Sequence, residues 1–167
     1  MNMKKKLKNN KGFSLIELII VIAIMAILIA VLAPAYLRYV EKARKSTDAQ
    51  AIGSAMSAIK TAASDPALGI ATDNTLTITF ATNGTTTYKT DKGGANAGTV
   101  VDKDTEVVAE LKATVGNYSI KSSDWNGSDI SVIGTMKAGG QLTFEIDGTA
   151  KADIVKYLNL SDVTAKP

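Results

Sequence analysis

The chain has 167 residues, with 19 basic and 16 acidic side chains, nine aromatic residues, no cysteine and no histidine. The missing residue types exclude disulfides, thiol nucleophiles, Ser-His-Asp triads and zinc sites of the Cys/His type. Residues 1–12 contain five lysines and no acid, and the remainder has 14 basic against 16 acidic residues. No basic patch with aromatic residues follows, so we expect no nucleic-acid partner.

The N-terminal segment has a basic start, an apolar middle and a single acid. Lysines in residues 4–11 precede Gly12, and an apolar run over residues 18–33 follows Glu17. One interpretation is a secretory signal peptide with a cleavage site at Ala33-Pro34-Ala35. The apolar stretch 15–35 argues against this, because signal peptides carry an apolar region of about 7–15 residues.

A second interpretation is a transmembrane anchor. Residues 13–37 would form a helix of about 37 Å, enough to cross a bilayer core of about 30 Å. The preceding lysines place the N-terminus in the cytoplasm and the body outside. Glu17 is unfavourable here, because a charge costs about 2.5–3.5 kcal/mol at the helix centre and less near an end. Such a residue is a candidate functional site.

A third interpretation gives Glu17 a partner. A cut between Gly12 and Phe13 would create an α-amino group one helical turn before Glu17. In a bundle of parallel helices, Glu17 of one subunit could then pair with the amine of a neighbour. Because an unpaired buried charge costs several kcal/mol, this pair would fix the axial register of the assembly.

These residues resemble the class III leader and helix start of type IV pilins over about residues 4–39. The resemblance is carried by Lys11-Gly12-Phe13-Ser14-Leu15-Ile16-Glu17, the apolar run and Pro34-Ala35-Tyr36. It implies cleavage after Gly12 by a prepilin peptidase, N-methylation of Phe13, an assembly role for Glu17 and a helix kink at Pro34. It also implies the pilin fold and polymerisation by a membrane machine.

Two residue choices depart from the family pattern. Ala26 stands where many members have Gly, which makes local melting of the helix less expected. The cysteine pair of many members is absent, and we take a Gram-positive bacterium as the setting.

The expected function is that of a structural subunit of a type IV pilus, serving adhesion, aggregation and twitching motility. The alternative is a pseudopilin of a type II secretion or competence machine, in which case nucleic acid could be a partner. Expected partners are other pilin subunits, the peptidase, the assembly machinery, and host or surface ligands. The precursor would be a single-pass membrane protein and the product an extracellular filament. We expect no enzyme activity, cofactor or metal; a membrane-tethered enzyme or binding domain is the third hypothesis.

Beyond the apolar run, the pattern predicts that the helix continues to about Ser64 and stops at Asp65-Pro66. Apolar residues at three- and four-residue steps mark the face that packs, and charged residues mark the face that meets water. The packing set is Val40, Ala43, Ile52, Ala55, Met56, Ile59 and Ala63. The water-facing set is Glu41, Lys42, Arg44, Lys45 and Asp48.

Alternating residues predict strands at 76–80, 85–89 and 142–146, and more weakly at 131–136. Asn83-Gly84 predicts the first hairpin turn, and Gly139-Gly140 predicts another turn. Residues 106–115 are expected to form a helix capped by Asp104 or Thr105 and ended by Gly116, with Val107, Val108, Leu111 and Val115 on one face. Residues 154–158 could add a helical turn.

The expected fold is therefore α+β: a long helix on a small antiparallel sheet, with no strand order assigned. The expected division is a leader (1–12), an apolar half-helix (13–37), an amphipathic half-helix (38–64) and a head (65–167). Two loops are expected, at 91–99 and 122–129, and Trp125 in the second is either packed on the domain edge or an exposed contact.

Several patterns are interpreted as ordinary surface chemistry. Calcium at Asp102, Asp104 and Glu106 is disfavoured because the required Gly and distal Glu are absent. Acid–base catalysis by Glu145 and Asp147 is disfavoured because the chain has no histidine and the sequence indicates no evident pocket. The glycosylation patterns at Asn83 and Asn126 are explained by turn chemistry.

Overall fold

The computed structural model describes residues 12–92, 103–160 and 163–166. The described elements are α1 (Leu15–Ser64), β1 (Thr75–Phe80), β2 (Thr86–Asp91), α2 (Asp104–Val115), β3 (Ile130–Met136), β4 (Leu142–Asp147), α3 (Lys151–Leu158) and β5 (Val163–Ala165). The chain divides into two compact units, one up to Val40 and one from Glu41 onward, with the boundary inside α1. The predicted α+β class is confirmed.

The first unit holds the apolar half of α1. Its large apolar side chains from Phe13 to Tyr39 are all exposed within the protein, on every side of the helix. This is the one described helix whose length and composition would let it cross a membrane. Pro34 lies inside α1, where it removes one backbone donor; the kink stays a prediction.

The second half of α1 packs its buried face on the sheet. The buried residues are Asp48, Ile52, Ala55, Ala58, Ile59 and Ala62. Ile52, Ala55 and Ile59 were predicted for this face, whereas Ala43 is exposed and its assignment was wrong. The assignment of Asp48 to water was also wrong, because its side chain is fully buried.

Helix α1 ends where the sequence predicted. Ser64 is its last residue, and the residue before a proline avoids the helical region. The Asp65 carboxylate then accepts a hydrogen bond from the Ala67 N–H at 2.8 Å, which forms a turn.

The five strands form one sheet in the order β2-β1-β3-β4-β5. All described pairs are antiparallel except β4 with β5. The inner face of the sheet includes Leu76, Ile78 and Val132. These side chains pack with α1 to form the hydrophobic core. The weakly predicted strand β3 lies at the centre of the sheet, and the short parallel strand β5 was not predicted.

Both predicted hairpin turns are confirmed. Gly84 has a φ of 84°, and its N–H donates to Ala81 O at 3.0 Å. The Asn83 carboxamide oxygen accepts from the Thr85 N–H at 2.9 Å. This matches a three-residue hairpin loop with a glycine in the left-handed region. Gly139 and Gly140, both with positive φ, connect β3 to β4.

Helix α2 begins differently from the prediction. Its N-cap is Lys103, which makes no side-chain cap hydrogen bond, so capping by Asp104 or Thr105 was wrong. The Asp104 carboxylate instead accepts a hydrogen bond from the Thr90 hydroxyl. Gly116 ends the helix with a φ of 66°, as predicted. Val107 and Leu111 are buried, while Val108 and Val115 are half-buried.

The two predicted loops have different outcomes. Residues 93–99 of the first lie outside the described residues, and Asp91 belongs to β2. The second loop, before β3, contains Trp125 with 1% of its surface exposed. Trp125 packs edge-on against Tyr157, with ring centroids 5.3 Å apart. The packed alternative is therefore confirmed, and the exposed contact was wrong.

Candidate assembly site

The start of α1 is organised by Ser14 and Glu17. The Glu17 Oε2 atom accepts a hydrogen bond from the Ser14 N–H at 2.8 Å, and the Leu18 N–H donates to Ser14 O at 3.2 Å. This is one half of a capping box, in which a Glu at the third helical position satisfies the N-cap N–H. The spacing Ser-x-x-Glu before an apolar run is a known sequence signal for it, and the sequence reasoning above missed it.

Glu17 is the sole charged residue between Phe13 and Leu37. Its carboxylate lies in the first turn of α1, where the positive end of the helix dipole favours negative charge. One hydrogen bond does not saturate a carboxylate, which has about four acceptor positions. The site can therefore still accept a cationic donor from another molecule.

The other predicted processing residues flank this turn. Phe13 is 94% exposed, and a Cβ added to Gly12 would meet nothing within 4 Å. The structure thus brings Gly12, Phe13 and Glu17 together at the beginning of α1, while Pro34 lies several turns further along the helix. Cleavage, methylation and assembly at these residues stay predictions.

A second polar cluster lies within the unit that begins at Glu41. Asp48 Oδ1 accepts from the Tyr118 hydroxyl at 2.7 Å and from the Lys121 N–H at 3.0 Å. Asp48 Oδ2 accepts from the Ser122 N–H at 2.7 Å. Burial, the hydrogen bond to Asp48 and the negative charge of Asp48 together raise the pKa of Tyr118 above its usual range. The cluster fixes the segment before β3 on α1.

Glu41 and Lys45 extend this attachment by two turns of α1. The Glu41 carboxylate accepts from the hydroxyls of Ser122 and Ser123. Burial alone would raise the pKa of Glu41, but these hydrogen bonds lower it overall. Lys45 Nζ lies 2.5 Å from Asp124 Oδ2, and this contact raises the pKa of Lys45. The cluster is saturated by its own partners, so we assign it a structural role.

The carboxylates Glu145 and Asp147 do not face a pocket. They point to the outer face of the sheet, and Asp147 pairs with Lys166 at 3.4 Å. The N–H of Gly148, together with Lys166, lowers the pKa of Asp147. A groove of about 1270 Å³ runs elsewhere, past Met56, Lys60 and Phe144. Neither carboxylate lines it.

The acidic alternation before α2 is described only in part. Asp102 lies outside the described residues, and Glu106 pairs with Lys103 at 3.7 Å. Within the parts of the chain that the structure describes, no group of three acidic side chains could hold a metal ion.

Comparison with known proteins addresses the N-terminal segment. Residues 7–33 match the family described as the prokaryotic N-terminal methylation motif. The chain carries a class III leader. This supports a type IV pilin-like or pseudopilin-like protein, a class that is structural rather than catalytic, and it is consistent with processing by a prepilin peptidase. With the long apolar helix, the leader supports a membrane-anchored precursor. Neither a curated protein nor a solved structure matches the chain.

Proposed function

We propose that this pilin-like chain is the structural subunit of a type IV pilus. The observation that carries the proposal is Glu17, the single charge of an otherwise apolar and exposed half-helix that follows a class III leader. In this scheme residues 1–12 are removed and residues 13–37 line the filament core. Residues 38–64 carry the head, and the filament serves adhesion, aggregation and twitching motility.

The exposed half-helix accounts for polymerisation. Apolar patches on soluble monomers seldom exceed a few hundred Å², and the residues from Phe13 to Leu37 expose apolar side chains on all sides. Such a surface is stable in lipid or against copies of itself. The helix can therefore leave the membrane when equivalent helices replace the lipid.

In this proposal, Glu17 sets the axial register between neighbouring subunits. Cleavage after Gly12 would add a positive amine at Phe13, close to the carboxylate of a neighbouring copy. In a core without water, a subunit whose Glu17 misses an amine is disfavoured by several kcal/mol. The hydrogen bond from Ser14 orients the carboxylate before the neighbour arrives.

The first prediction separates the charge of Glu17 from its capping role. Gln can replace Glu in a capping box, so Glu17→Gln should keep the start of α1 intact while removing the charge. We expect processed, membrane-resident protein in both Glu17→Gln and Glu17→Ala, and a loss of filaments of at least about tenfold in each. Filaments are counted by electron microscopy of sheared material, and processing is followed by mass spectrometry.

Glu110→Gln, an exposed carboxylate on α2, is the matched control and should leave the number of filaments unchanged. Normal filaments from Glu17→Gln, together with their loss in Glu17→Ala, would show that capping alone explains the residue. A bulky residue at Gly12 should trap the precursor.

A further inference from the structure

The outer face of the sheet carries an unusual density of hydroxyl groups. Outward positions alternate with the buried ones along β1 and β3, and the pairing of β3 with β4 extends this face to β4. The hydroxyl groups are those of Thr75, Thr77 and Thr79 of β1, Ser131 and Thr135 of β3 and Thr143 of β4. These side chains are half-buried. The hydroxyls of Thr79 and Ser131 lie 2.8 Å apart across the two central strands.

One row across this face differs from the others. Strand pairing aligns Lys89 with Thr77, Thr77 with Ile133, and Ile133 with Glu145. The row therefore runs from a cation on β2, through a hydroxyl and an apolar residue, to an anion on β4. Within the described residues, neither Lys89 nor Glu145 has an ion-pair partner.

Ile133 is also unusual. It is half-buried at the centre of the hydroxyl-rich face, and it is not among the side chains packed against the core. An apolar side chain between two unpaired charges of opposite sign is the pattern of a small contact surface with a polar rim.

We propose that this face is a contact surface for a second copy of the same face. A two-fold axis parallel to the strands, between β1 and β3, keeps each row in line and exchanges β2 with β4. Lys89 of each copy then lies opposite Glu145 of the other, and each Ile133 lies opposite Thr77. Face-to-face sheets pack about 10 Å apart, a gap that an extended lysine and a glutamate together can span.

Charge selects this arrangement over its main competitor. A two-fold axis running across the strands would place Lys89 opposite Lys89 and Glu145 opposite Glu145. Juxtaposed like charges disfavour that packing. The row of residues therefore favours one orientation through pairs of opposite charge and disfavours the other through pairs of like charge. Contacts between identical surfaces gain a defined orientation in this way.

The size of the face indicates a weak contact. The axis overlays four strands, β2, β1, β3 and β4. With a spacing of about 4.8 Å and three outward residues each, they cover about 400 Å² per copy, or about 800 Å² in total. Stable complexes bury at least about 1,200 Å². A single pair of heads should therefore not associate, whereas rows of heads on two opposing surfaces should do so by multivalency.

The inference rests on the proposed function for its setting. Residues 48–62 of α1 cover the inner face of the sheet, so the outer face is the one left for contact with another copy. Parallel filaments would then present repeated copies of Lys89 and Glu145 to each other and associate side by side.

The experiment displays the full chain in phosphatidylcholine vesicles, which requires no filament, and measures vesicle clustering by light scattering at low ionic strength. Wild-type vesicles should cluster, and 1 M salt should disperse them, because the Debye length falls to about 3 Å. Lys89→Glu and Glu145→Lys should each weaken one contact by about tenfold, since both pairs of the two-fold contact are lost. The double variant Lys89→Glu with Glu145→Lys should restore clustering.

Lys112→Glu, which reverses an exposed charge on α2, is the matched control and should cluster like wild type. Wild-type vesicles that stay dispersed, or a double variant that does not recover, would overturn the inference. Because vesicles need no polymerisation, a failure of the proposed pilus function would appear separately, as missing filaments in cells.

Discussion

At the scale of single residues, Asp48 is the most consequential polar group of the unit beginning at Glu41. Its side chain is 0% exposed, and its two oxygens accept hydrogen bonds from Tyr118, Lys121 and Ser122. A buried carboxylate is tolerated when such donors replace water. The donors belong to a segment 70 to 74 residues away in sequence.

Replacing Asp48 should therefore leave three donors unsatisfied. We expect Asp48→Ala to lower the free energy of unfolding by about 3 kcal/mol or more, because each orphaned donor loses its partner away from water. Glu110→Ala, an exposed carboxylate on α2, should change it by less than about 0.5 kcal/mol. Denaturant titration of the full chain in detergent measures both. Equal losses of unfolding free energy in the two variants would show that the hydrogen bonds of Asp48 add little to the stability of the fold.

Tyr118 makes the same cluster sensitive to alkali. Its pKa is raised in the folded protein by burial and by Asp48, so the folded state holds this proton more tightly than the unfolded state. The stabilisation is complete below the unfolded pKa of about 10 and is lost as pH rises through the folded pKa.

The free energy of unfolding should thus fall above pH ~10, and Tyr118→Phe should reduce the steepness of that fall. Tyr88, whose pKa burial also raises, accounts for part of what remains. An alkaline slope that is identical in wild type and Tyr118→Phe would contradict the assignment.

At the scale of elements, the approach of α1 to the sheet depends on Gly134 in β3. A Cβ built there would lie 2.4 Å from Ile59 Cγ2, so the helix and the strand meet where no side chain intervenes. The position is central in the sheet, between β1 and β4. Glycine inside a strand commonly marks such a close approach.

Gly134→Ala should destabilise the fold by about 1–3 kcal/mol through overpacking. Combining it with Ile59→Ala should cost less than the sum of the two single changes, since the clashing methyl is gone. Gly53→Ala is the opposing control: nothing lies within 4 Å of its added Cβ, and a helix gains about 0.5–1 kcal/mol from the change. Additive effects in the Gly134–Ile59 pair would refute the contact.

Local patterns predicted most elements and missed those set by distant contacts. The end of α1 at Ser64 and the Asn83-Gly84 turn depend on neighbouring residues, so they were predictable. The parallel strand β5 has three residues, too few for a period, and is held by pairing with β4. Strands β1 and β3 are separated in sequence by β2 and α2, so no local sequence pattern indicates that they pair.

The same distinction applies to the sites. Gly12, Phe13 and Glu17 lie close enough in sequence to be predicted as processing and assembly residues, and these roles stay predictions. The capping pair Ser14–Glu17 could also have been predicted from its spacing. Asp48 appeared to be a solvated charge because its partners are distant. The row from Lys89 to Glu145 becomes visible only when the strand register is known.

At the scale of the whole molecule, the two units have different proposed tasks. In the proposed pilus, the apolar half of α1 would serve first as the membrane anchor and then as the filament core, and Glu17 would set the axial register of the subunits. The unit from Glu41 onward is held by a core of its own and displays the hydroxyl-rich face. The proposed register role of Glu17 requires that the leader be removed, because its proposed partner is the amine created by that cut.

The most direct measurement is therefore the intact mass of this protein in material sheared from cells. We expect a single species corresponding to residues 13–167 plus one methyl group, in a fraction rich in long filaments. The same processed species confined to the membrane would favour a pseudopilin. A soluble product beginning at Tyr36 would rule out assembly through Glu17, since it would lack Phe13 and Glu17 and reveal an ordinary signal peptide.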